Sequence, residues 1–226
     1  MTSSGTRSPG LIVNFHGVGV PIRSLDSGES KVWVSKDEMN AILDLVADRS
    51  DVYITSDDGN ISDLAELMPA MIERSLTGTF FILSDRIGEP GSLAESDIQE
   101  LIDGGMRIGL HGAAHVPWRN MTDDQKCAEW SDAIDRLQQI SGREIDEAAC
   151  PFGIYDRSVV KGLRKMGMQK VFTSDRGWAP MHDFVIPRNS VGTGHPNIGA
   201  QGLKRLLDNP RIDLKDRAKR WIKRWR

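Results

Sequence analysis

The sequence predicts an α/β fold, a barrel of about seven parallel strands. Short apolar segments alternate with amphipathic segments of helical length, which indicates repeated strand–helix units and therefore a parallel sheet. About seven such units follow one another without an internal sequence repeat, and this favours a closed barrel over an open sheet. The length of 226 residues also suits a single α/β barrel domain.

Seven apolar segments are predicted to be the strands. Each is short, as strands in globular proteins are, and is followed by polar or turn-forming residues. The predicted strands are Leu11–Phe15, Val52–Thr55, Gly78–Leu83, Arg107–Leu110, Glu147–Cys150, Lys170–Ser174 and Phe184–Pro187.

Five segments between these strands have the apolar spacing of amphipathic helices. Ser35 and Glu38 form a capping-box pair at the start of the first helix. Gly104 and Gly105 end the third helix, because glycine tolerates the left-handed conformation at a helix C-terminus. The predicted helices cover about residues 35–49, 62–74, 96–104, 122–140 and 156–167.

Composition and hydropathy exclude disordered and membrane-spanning chains. Hydrophobic residues make up 39% and charged residues 27% of the chain, as in a globular protein. The longest apolar run has six residues, Leu67–Ile72, against about 20 that a membrane-spanning helix needs. The polar N-terminus lacks the apolar core of a signal peptide, so we expect a cytoplasmic protein in which Cys127 and Cys150 are free thiols.

Charge divides the chain into an acidic body and a basic C-terminal segment. Residues 201–226 carry ten basic and three acidic side chains, a net charge of +7, and the rest carries 19 basic and 29 acidic side chains, a net charge of −10. An acidic body argues against nucleic acid as a partner. We predict a flexible polar tail over residues 1–10, a barrel domain over residues 11–200 and a basic amphipathic helix over residues 201–226.

The apolar side chains of the C-terminal segment fall on one face of a helix. These residues are Leu214, Ala218, Trp221, Ile222 and Trp225, with lysine and arginine around them. One interpretation is a peripheral contact of residues 214–226 with the inner membrane face, with the tryptophans at headgroup depth and the cations on anionic lipid. The other interpretation is a helix that packs its apolar face on the barrel.

Two motifs at predicted strand ends combine the residues of a metal site. Asp57 and Asp58 end the second strand, where two adjacent carboxylates repel each other and favour a cation nearby. His111 and His115 follow the fourth strand at a spacing that lets both rings meet one ion. Two histidines and one carboxylate hold a metal and leave positions open for water and substrate. A polar turn and a pair of loop histidines are the alternative interpretation of the two motifs.

Two further strand ends carry aromatic and proline residues. Pro151, Phe152 and Gly153 follow the fifth strand, and Trp178 follows the sixth. An aromatic ring and a loop held by proline would form the wall of a sugar or acyl pocket beside the metal. The alternative for Trp178 is a place in the hydrophobic core.

These motifs, in this order, resemble the NodB-type polysaccharide deacetylases, carbohydrate esterase family four, over residues 11–190. The matching segments are Thr-Ser-Asp-Asp-Gly at 55–59, Gly-Thr-Phe-Phe-Ile at 78–82, Gly-Met-Arg-Ile-Gly-Leu-His-Gly-Ala-Ala-His at 105–115 and Pro-Phe-Gly at 151–153. The resemblance implies a distorted (β/α) barrel and a divalent metal, most often zinc. It also implies hydrolysis of N-acetyl groups on amino sugars.

The resemblance implies a role for individual residues. Asp57 matches the general base of the family, and the metal ligands of the family match Asp58, His111 and His115. A late histidine of the family acts as general acid. His195 is the nearest match to it by order, and His182 and His16 are weaker matches.

Two positions depart from the family pattern. The family has an arginine two residues before the proline of its third motif, and this arginine pairs with the catalytic aspartate, whereas the position here holds Ala149. Arg107, Arg176 or Arg188 would have to supply the guanidinium from elsewhere. Ser56 replaces a phenylalanine that the family usually has before its aspartate pair.

The expected function is that of a metal-dependent hydrolase that removes an N-acetyl group from an amino sugar of a glycan or glycan precursor. Such an enzyme acts on carbon–nitrogen bonds other than peptide bonds. One alternative is a catalytically impaired carbohydrate-binding protein on the same fold, which the departure at Ala149 would favour. The other alternative is a different amide or imide hydrolase on the same metal scaffold.

Overall fold

The computed structural model describes residues 9–194, 197–213, 218 and 223. Within these residues, nine strands form one sheet that nearly closes into a barrel, and two further strands form a separate pair. The strands are β1 (Gly10–Phe15), β2 (Gly17–Val18), β3 (Trp33–Val34), β4 (Val52–Asp58), β5 (Gly78–Ile82), β6 (Arg107–Leu110), β7 (Glu147–Ala149), β8 (Lys170–Thr173), β9 (Trp178–Ala179), β10 (Val185–Pro187) and β11 (Asn189–Ser190).

Helices connect most of the strands of the main sheet. They are α1 (Lys36–Val46), α2 (Met68–Ile72), α3 (Glu95–Asp103), α4 (Asp123–Lys126), α5 (Ala133–Ser141), α6 (Arg157–Lys165) and α7 (Ala200–Leu207). Short 3-10 turns cover Glu29–Val32, Ser84–Arg86 and Pro151–Gly153.

Two of the predicted helices contain a π-helical segment. Residues Asp63–Leu67 are π-helical before α2, and residues Cys127–Asp132 are π-helical between α4 and α5. Pro69 has no backbone N–H to donate to the carbonyl of Ala65, which lies inside the first π-helical segment. Helical periodicity in the sequence does not distinguish such a segment from a continuous α-helix.

The parallel barrel predicted from the sequence is confirmed. The strand order is β10–β8–β7–β6–β5–β4–β1–β11, and each neighbouring pair in it is parallel. All seven predicted segments overlap a strand of this order. The strands that were not predicted, β2, β3, β9 and β11, have two residues each, which is too few to give a periodic pattern.

The two edges of the sheet are joined by the chain itself. β10 and β11 lie at opposite ends of the strand order, yet only Arg188 separates them in the sequence. The Arg188 N–H donates to the carbonyl of Thr173 in β8 at 2.7 Å. The Val191 N–H, just after β11, donates to the carbonyl of Asn14 in β1 at 2.8 Å. Arg188 therefore stands at the seam where the barrel closes.

The two faces of the sheet bury different sets of apolar side chains. On the outer face, Leu11, Val13 and Phe15 of β1 belong to the large cluster that packs the helices onto the strands. The barrel interior holds a smaller cluster of Ile12, Phe81, Ala149, Phe172, Ala179 and Ile186. Side chains alternate between the two faces of a strand. The interior-facing residues near the carboxyl ends of the strands are therefore the ones that reach the candidate site described below.

The C-terminal segment is described only in part. α7 falls at the start of the predicted basic helix, but the apolar face predicted at 214–226 lies outside the described residues except for Ala218. Lys223 Nζ donates to the Gly153 carbonyl and to Asp175 Oδ1, at 2.8 Å each. No helix of the described ranges combines the length and the apolar character that crossing a membrane needs. The cytoplasmic location and the membrane contact stay predictions.

Replacing Gly109 with alanine is expected to destabilise the fold. A Cβ at this position in β6 would lie 2.4 Å from the ring of Phe81, so the ring must move inside a packed barrel. We expect the Gly109→Ala variant to lose about 2 kcal/mol of unfolding free energy, measured by chemical denaturation.

Gly202→Ala is the matched control for this prediction. Gly202 lies in α7, and a Cβ there would have its nearest neighbour at 3.4 Å, which is ordinary contact. Alanine is a better helix former than glycine, so this variant should be as stable as the parent chain or slightly more so. Equal stability of the Gly109 and Gly202 variants would contradict the packing argument.

Candidate active site

The carboxyl ends of β1, β4 and β6 meet at one end of the barrel around a cavity of about 280 Å³. In parallel barrels this is the end where loops and strand ends collect functional residues. Six of the residues singled out from the sequence line the cavity, namely His16, Asp57, Asp58, His111, His115 and Phe152. Residues as far apart in the chain as His16 and Phe152 are thus brought to one site.

Asp58, His111 and His115 form a compact set of candidate metal ligands. One donor atom from each lies within 4.8 Å of the others. Asp58 Oδ1 is 3.4 Å from His111 Nε2 and 3.5 Å from His115 Nε2. This oxygen is buried and accepts no hydrogen bond within the described structure. A buried carboxylate oxygen without a donor is costly unless a cation compensates it.

The protonation states of Asp58 and His115 fit a metal ion. Burial raises the pKa of Asp58, but the three neighbouring histidines, His111 foremost, outweigh burial and hold that pKa far below its usual range. Burial lowers the pKa of His115 to about 4, so its ring is neutral at neutral pH. An ionised carboxylate and a neutral imidazole are the forms that bind a metal. The donor set therefore fits a divalent ion, with zinc as a matching choice for nitrogen and oxygen ligands.

Backbone conformation turns Asp57 and Asp58 to the same cavity. Adjacent residues of a regular strand point to opposite faces, so both side chains can reach one cavity only where β4 departs from regular strand geometry. Asp58 has a φ of 78°, in the left-handed region, and Gly59 follows with a φ of 68°. His115, at the other motif, also has a positive φ, 58°. Non-glycine residues rarely adopt this conformation, and where they do they often serve a functional site.

A hydrogen bond to the main chain orients His111. Its Nδ1 donates to the carbonyl of Ala149 at 2.9 Å, which leaves Nε2 directed at Asp58. Metal-binding histidines generally use their second nitrogen in this way. Although burial lowers the pKa of His111, the carboxylates Asp57 and Asp58 outweigh that effect and raise it.

Two buried acids support the two motifs from behind. Glu129, in the π-helical segment Cys127–Asp132, accepts hydrogen bonds from the backbone N–H groups of Ala113 and Ala114 at 3.0 and 2.9 Å. Asp63, in the π-helical segment Asp63–Leu67, accepts one from the hydroxyl of Ser56 at 2.7 Å. Each π-helical segment therefore supports one of the two motifs, Asp63–Leu67 through β4 and Cys127–Asp132 through the loop after β6.

Asp57 lies beside the candidate ligands and is paired with a buried arginine. Arg188 Nη1 donates to Asp57 Oδ1 at 2.5 Å, and Arg188 Nη2 donates to Asp57 Oδ2 at 2.6 Å. Asn14 Nδ2 donates to Asp57 Oδ2 at 3.1 Å. Burial raises the pKa of Asp57, but Arg188 and the nearby histidines outweigh burial and lower it overall. Asp57 is therefore ionised at neutral pH.

Arg188 supplies Asp57 with the guanidinium that the family pattern would place at position 149, where this chain has an alanine. Of the three arginines proposed to replace the missing residue at Ala149, the structure places Arg188 on Asp57. Arg107, in contrast, pairs with Asp146, and its side chain is more than half exposed. Asp57 is therefore paired with an arginine although position 149 holds an alanine.

The candidate acids occupy different places. His16 lines the cavity, with its Nε2 3.7 Å from Asp57 Oδ2. Its Nδ1 is buried and has no hydrogen-bond partner within the described structure, and burial lowers its pKa despite Asp57 and Asp58. His182 has a largely exposed ring, 3.9 Å from Asp183. His195, the match by sequence order, lies outside the described residues.

Of the side chains predicted to form the pocket wall, Phe152 lies at the cavity and Trp178 does not. Phe152 is exposed at the cavity, and its ring lies 4.3 Å from that of His115. Pro151 and Gly153 are buried and shape the turn that presents Phe152. Trp178 is buried in the core, and its Nε1 donates to the carbonyl of Leu206. The chain reverses after β8, so β9 pairs antiparallel with the start of β1, at the opposite end of the barrel from the cavity.

Sequence reasoning missed Asn14 and the loop 26–29. Asn14 is a polar residue inside the apolar strand β1 and is 1% exposed, so its position in the pattern was the available indication. Its Oδ1 accepts hydrogen bonds from Thr55 Oγ1 at 2.6 Å and Arg188 Nη1 at 2.8 Å. The loop 26–29 lines the cavity but has no motif that would reveal it.

Removing one candidate ligand is expected to remove the metal. Asp58→Ala and His111→Ala each delete a donor from a three-residue set, and affinity for zinc depends steeply on the number of ligands. We expect bound zinc to fall from about one ion per chain to below about a tenth of that, measured by elemental analysis after reconstitution with zinc. His182→Ala is the matched control, since its exposed ring lies elsewhere. Full zinc content in either ligand variant would contradict the assignment.

Comparisons with known proteins agree with the fold and the motifs. The family model for polysaccharide deacetylases matches residues 45–171, which include both motifs and exceed half of the chain. YheN of Bacillus subtilis strain 168, whose name assigns it to the polysaccharide deacetylases, is 31% identical over 122 residues, 51% of this chain and 41% of YheN. PdaA of the same organism, named a peptidoglycan-N-acetylmuramic acid deacetylase, is 26% identical over 125 residues, 54% of this chain and 46% of PdaA. The matched regions thus span less than half the length of these curated relatives.

Solved structures share the fold over most of the chain. The Streptococcus pyogenes deacetylase PplD, solved in complex with acetate, has a TM-score of 0.73 at 17% identity, over 88% of this chain and 97% of that one. A polysaccharide deacetylase from Bacillus cereus has a TM-score of 0.74 at 17% identity, over 88% of this chain and 69% of that one. At this identity the structures establish the fold, and the family model, which covers more than half of the sequence, establishes that the chain belongs to the polysaccharide deacetylase family.

Proposed function

We propose that this protein is a metal-dependent hydrolase that removes an N-acetyl group from an amino sugar of a glycan or glycan precursor. The observation that carries the proposal is the juxtaposition of two features. Asp58, His111 and His115 converge as ligands, and an ionised carboxylate, Asp57, lies directly beside them. The family to which the chain belongs supports deacetylation as the reaction.

The three ligands would hold one divalent ion, zinc in our proposal. When bound, the ion would polarise the acetyl carbonyl and make a water molecule acidic. Three protein ligands leave positions open for water and substrate, as catalytic metal sites require. The chemistry left to the protein is the transfer of two protons and the placing of the sugar.

Asp57 is the proposed general base. It is ionised and lies at the cavity, so it can accept a proton from the attacking water. Both of its oxygens accept hydrogen bonds from Arg188, which fixes the plane of the carboxylate. The backbone N–H near Phe152 is the proposed donor to the developing oxyanion, because Phe152 reaches the cavity beside His115.

We propose His16 as the general acid that protonates the departing amine. It lies on the cavity wall, whereas the assignment of this role to His195 rests on sequence order alone. Burial lowers its pKa, so the ring is neutral in the resting site and must take up a proton before it can donate one. In this assignment His16 takes the role that the family gives to a histidine of a late motif.

An N-acetylated amino sugar is the proposed substrate class. PdaA, which is similar over about half of this chain, is named a peptidoglycan-N-acetylmuramic acid deacetylase. The cavity is small, about 280 Å³, and has an exposed aromatic ring at its mouth. Aromatic rings beside small polar cavities suit the apolar face of a sugar.

The test of the proposed function is acetate release by the zinc-loaded chain from an N-acetylglucosamine oligomer. Asp57→Asn keeps the shape of the side chain but cannot accept the proton, so we expect about a 10²–10⁴-fold loss of kcat with zinc content unchanged. Asp183→Asn, an exposed aspartate away from the cavity, is the control and should keep full activity. Wild-type kcat in the Asp57 variant would remove it as the base.

The wild-type chain itself separates the alternatives. Zinc without acetate release would favour another amide or imide hydrolase. A chain that binds the oligomer but takes up no zinc would favour a carbohydrate-binding protein.

The role of His16 is tested against that of His195 with the same assay. His16→Asn should lower kcat by about 10²-fold or more, because the amine must then leave without a proton from the protein. His195→Asn should keep kcat within about threefold of the wild type. A large loss in the His195 variant together with an active His16 variant would reverse the assignment.

A further inference from the structure

We propose that Arg188 is the positioning residue of the catalytic base, and that it takes the place of the arginine missing at Ala149 by approaching Asp57 from the seam between β10 and β11. The inference rests on the proposed function, because it assumes that Asp57 acts as the base. It concerns a residue outside the segment that matches the family model, residues 45–171.

The backbone of Arg188 is held by the closure of the barrel. β10 ends at Pro187 and β11 begins at Asn189, and these two strands lie at opposite edges of the sheet. The Arg188 N–H donates to Thr173 at 2.7 Å, and the Arg188 carbonyl accepts from the N–H of Arg176 at 3.2 Å. The Cα from which the side chain enters the barrel is therefore fixed by both edges of the sheet.

The side chain of Arg188 engages both oxygens of Asp57. It is 1% exposed, and its two terminal nitrogens bond one carboxylate oxygen each, at 2.5 and 2.6 Å. This two-pronged geometry sets the direction of the carboxylate as well as its charge, which a lysine with a single nitrogen cannot do. Arg188 therefore determines where the lone pairs of the base point.

Asn14 completes this arrangement. Its Oδ1 accepts from Arg188 Nη1 at 2.8 Å and from Thr55 Oγ1 at 2.6 Å, so its amide nitrogen is turned to Asp57 Oδ2. The Asp57 carboxylate is thus held by three donors from two neighbouring parts of the barrel wall, β1 and the seam. These contacts leave little freedom for the base to rotate.

Ala149 provides the space that this arrangement needs. It is fully buried in the interior cluster with Phe81, and the guanidinium carbon of Arg188 lies 5.3 Å from the centre of the Phe81 ring. Arginines at both positions would compete for the same interior. The packed interior has room for one arginine, either at position 149 in β7 or at position 188 at the seam.

An exchange of the two residues tests the inference. The variants are Arg188→Ala, Arg188→Lys and the double variant Arg188→Ala with Ala149→Arg, which keeps both the composition and the interior volume. We expect Arg188→Ala to lower kcat for acetate release by about 10²-fold, with KM within about threefold and zinc content unchanged. The exchange should restore kcat by about tenfold or more, and Arg188→Lys should remain close to Arg188→Ala.

Two controls separate positioning from general damage to the fold. Arg107→Ala removes an arginine that pairs with Asp146 away from the cavity, and it should keep the wild-type kcat. In the Asp57→Asn background, the Arg188→Ala change should have no further effect on kcat, since a residue that acts through Asp57 has nothing left to position. A merely structural role would lower kcat again in that background.

The outcomes also distinguish this inference from the proposed function. If the wild type is active, two results would overturn the inference and leave the proposed function standing. The first is an Arg188→Ala variant with kcat within twofold of the wild type. The second is an exchange variant that recovers none of the lost kcat. A zinc-loaded wild type that releases no acetate overturns the proposed function. In that case, the pairing of Arg188 with Asp57 is tested by thermal denaturation. Arg188→Ala should lower the Tm more in the wild-type background than in the Asp57→Asn background. Equal drops in the two backgrounds would refute the pairing.

Discussion

The candidate site depends on the burial of two adjacent carboxylates at the end of one strand. Asp57 and Asp58 are each 3% exposed, and neither would remain ionised there without a cation, because burial alone raises a carboxyl pKa. The barrel compensates them separately. Arg188 neutralises Asp57, while Asp58 faces the histidines, with one oxygen that has no donor in the described structure. This division agrees with the roles we propose, proton transfer for Asp57 and metal binding for Asp58.

Irregular backbone is what lets two neighbouring residues take these different tasks. Asp58 and His115 have positive φ values, a conformation that costs on the order of 1–3 kcal/mol at each non-glycine residue. Hydrogen bonds from behind offset this cost. Glu129 binds the loop after β6 and Asp63 binds Ser56 in β4. Both acids come from π-helical segments, which are frequent at functional sites. The serine at position 56 has a purpose in this arrangement, because a phenylalanine could not donate to Asp63.

The sequence predicted what is encoded locally and left open which residues the closure of the barrel brings together. The seven main strands follow from apolar pattern, and the aspartate and histidine motifs sit at strand ends that a parallel sheet must place at one rim. The pairing of Arg188 with Asp57 spans 131 positions, and no local spacing in the sequence indicates it. Trp178 was misplaced for a related reason. β9 has only two residues and runs antiparallel to β1, which is too short a strand to give a periodic pattern in the sequence. Nothing in the sequence therefore indicated that Trp178 lies at the opposite end of the barrel.

Closing the barrel and preparing the base are the same event in this protein. Until β10 and β11 pair at the two edges of the sheet, Arg188 is not held beside Asp57, and the buried carboxylate lacks its compensating charge. The pKa of Asp57 is lowered in the folded chain, so this pairing stabilises the fold above the pKa of an unfolded aspartate, about 4, and the contribution is lost as the pH falls through the folded value. Closure of the barrel therefore also supplies the charge that keeps the proposed base ionised. A barrel left open at this seam would keep its candidate metal ligands, since they come from β4 and the loop after β6, but the proposed base would be unpaired.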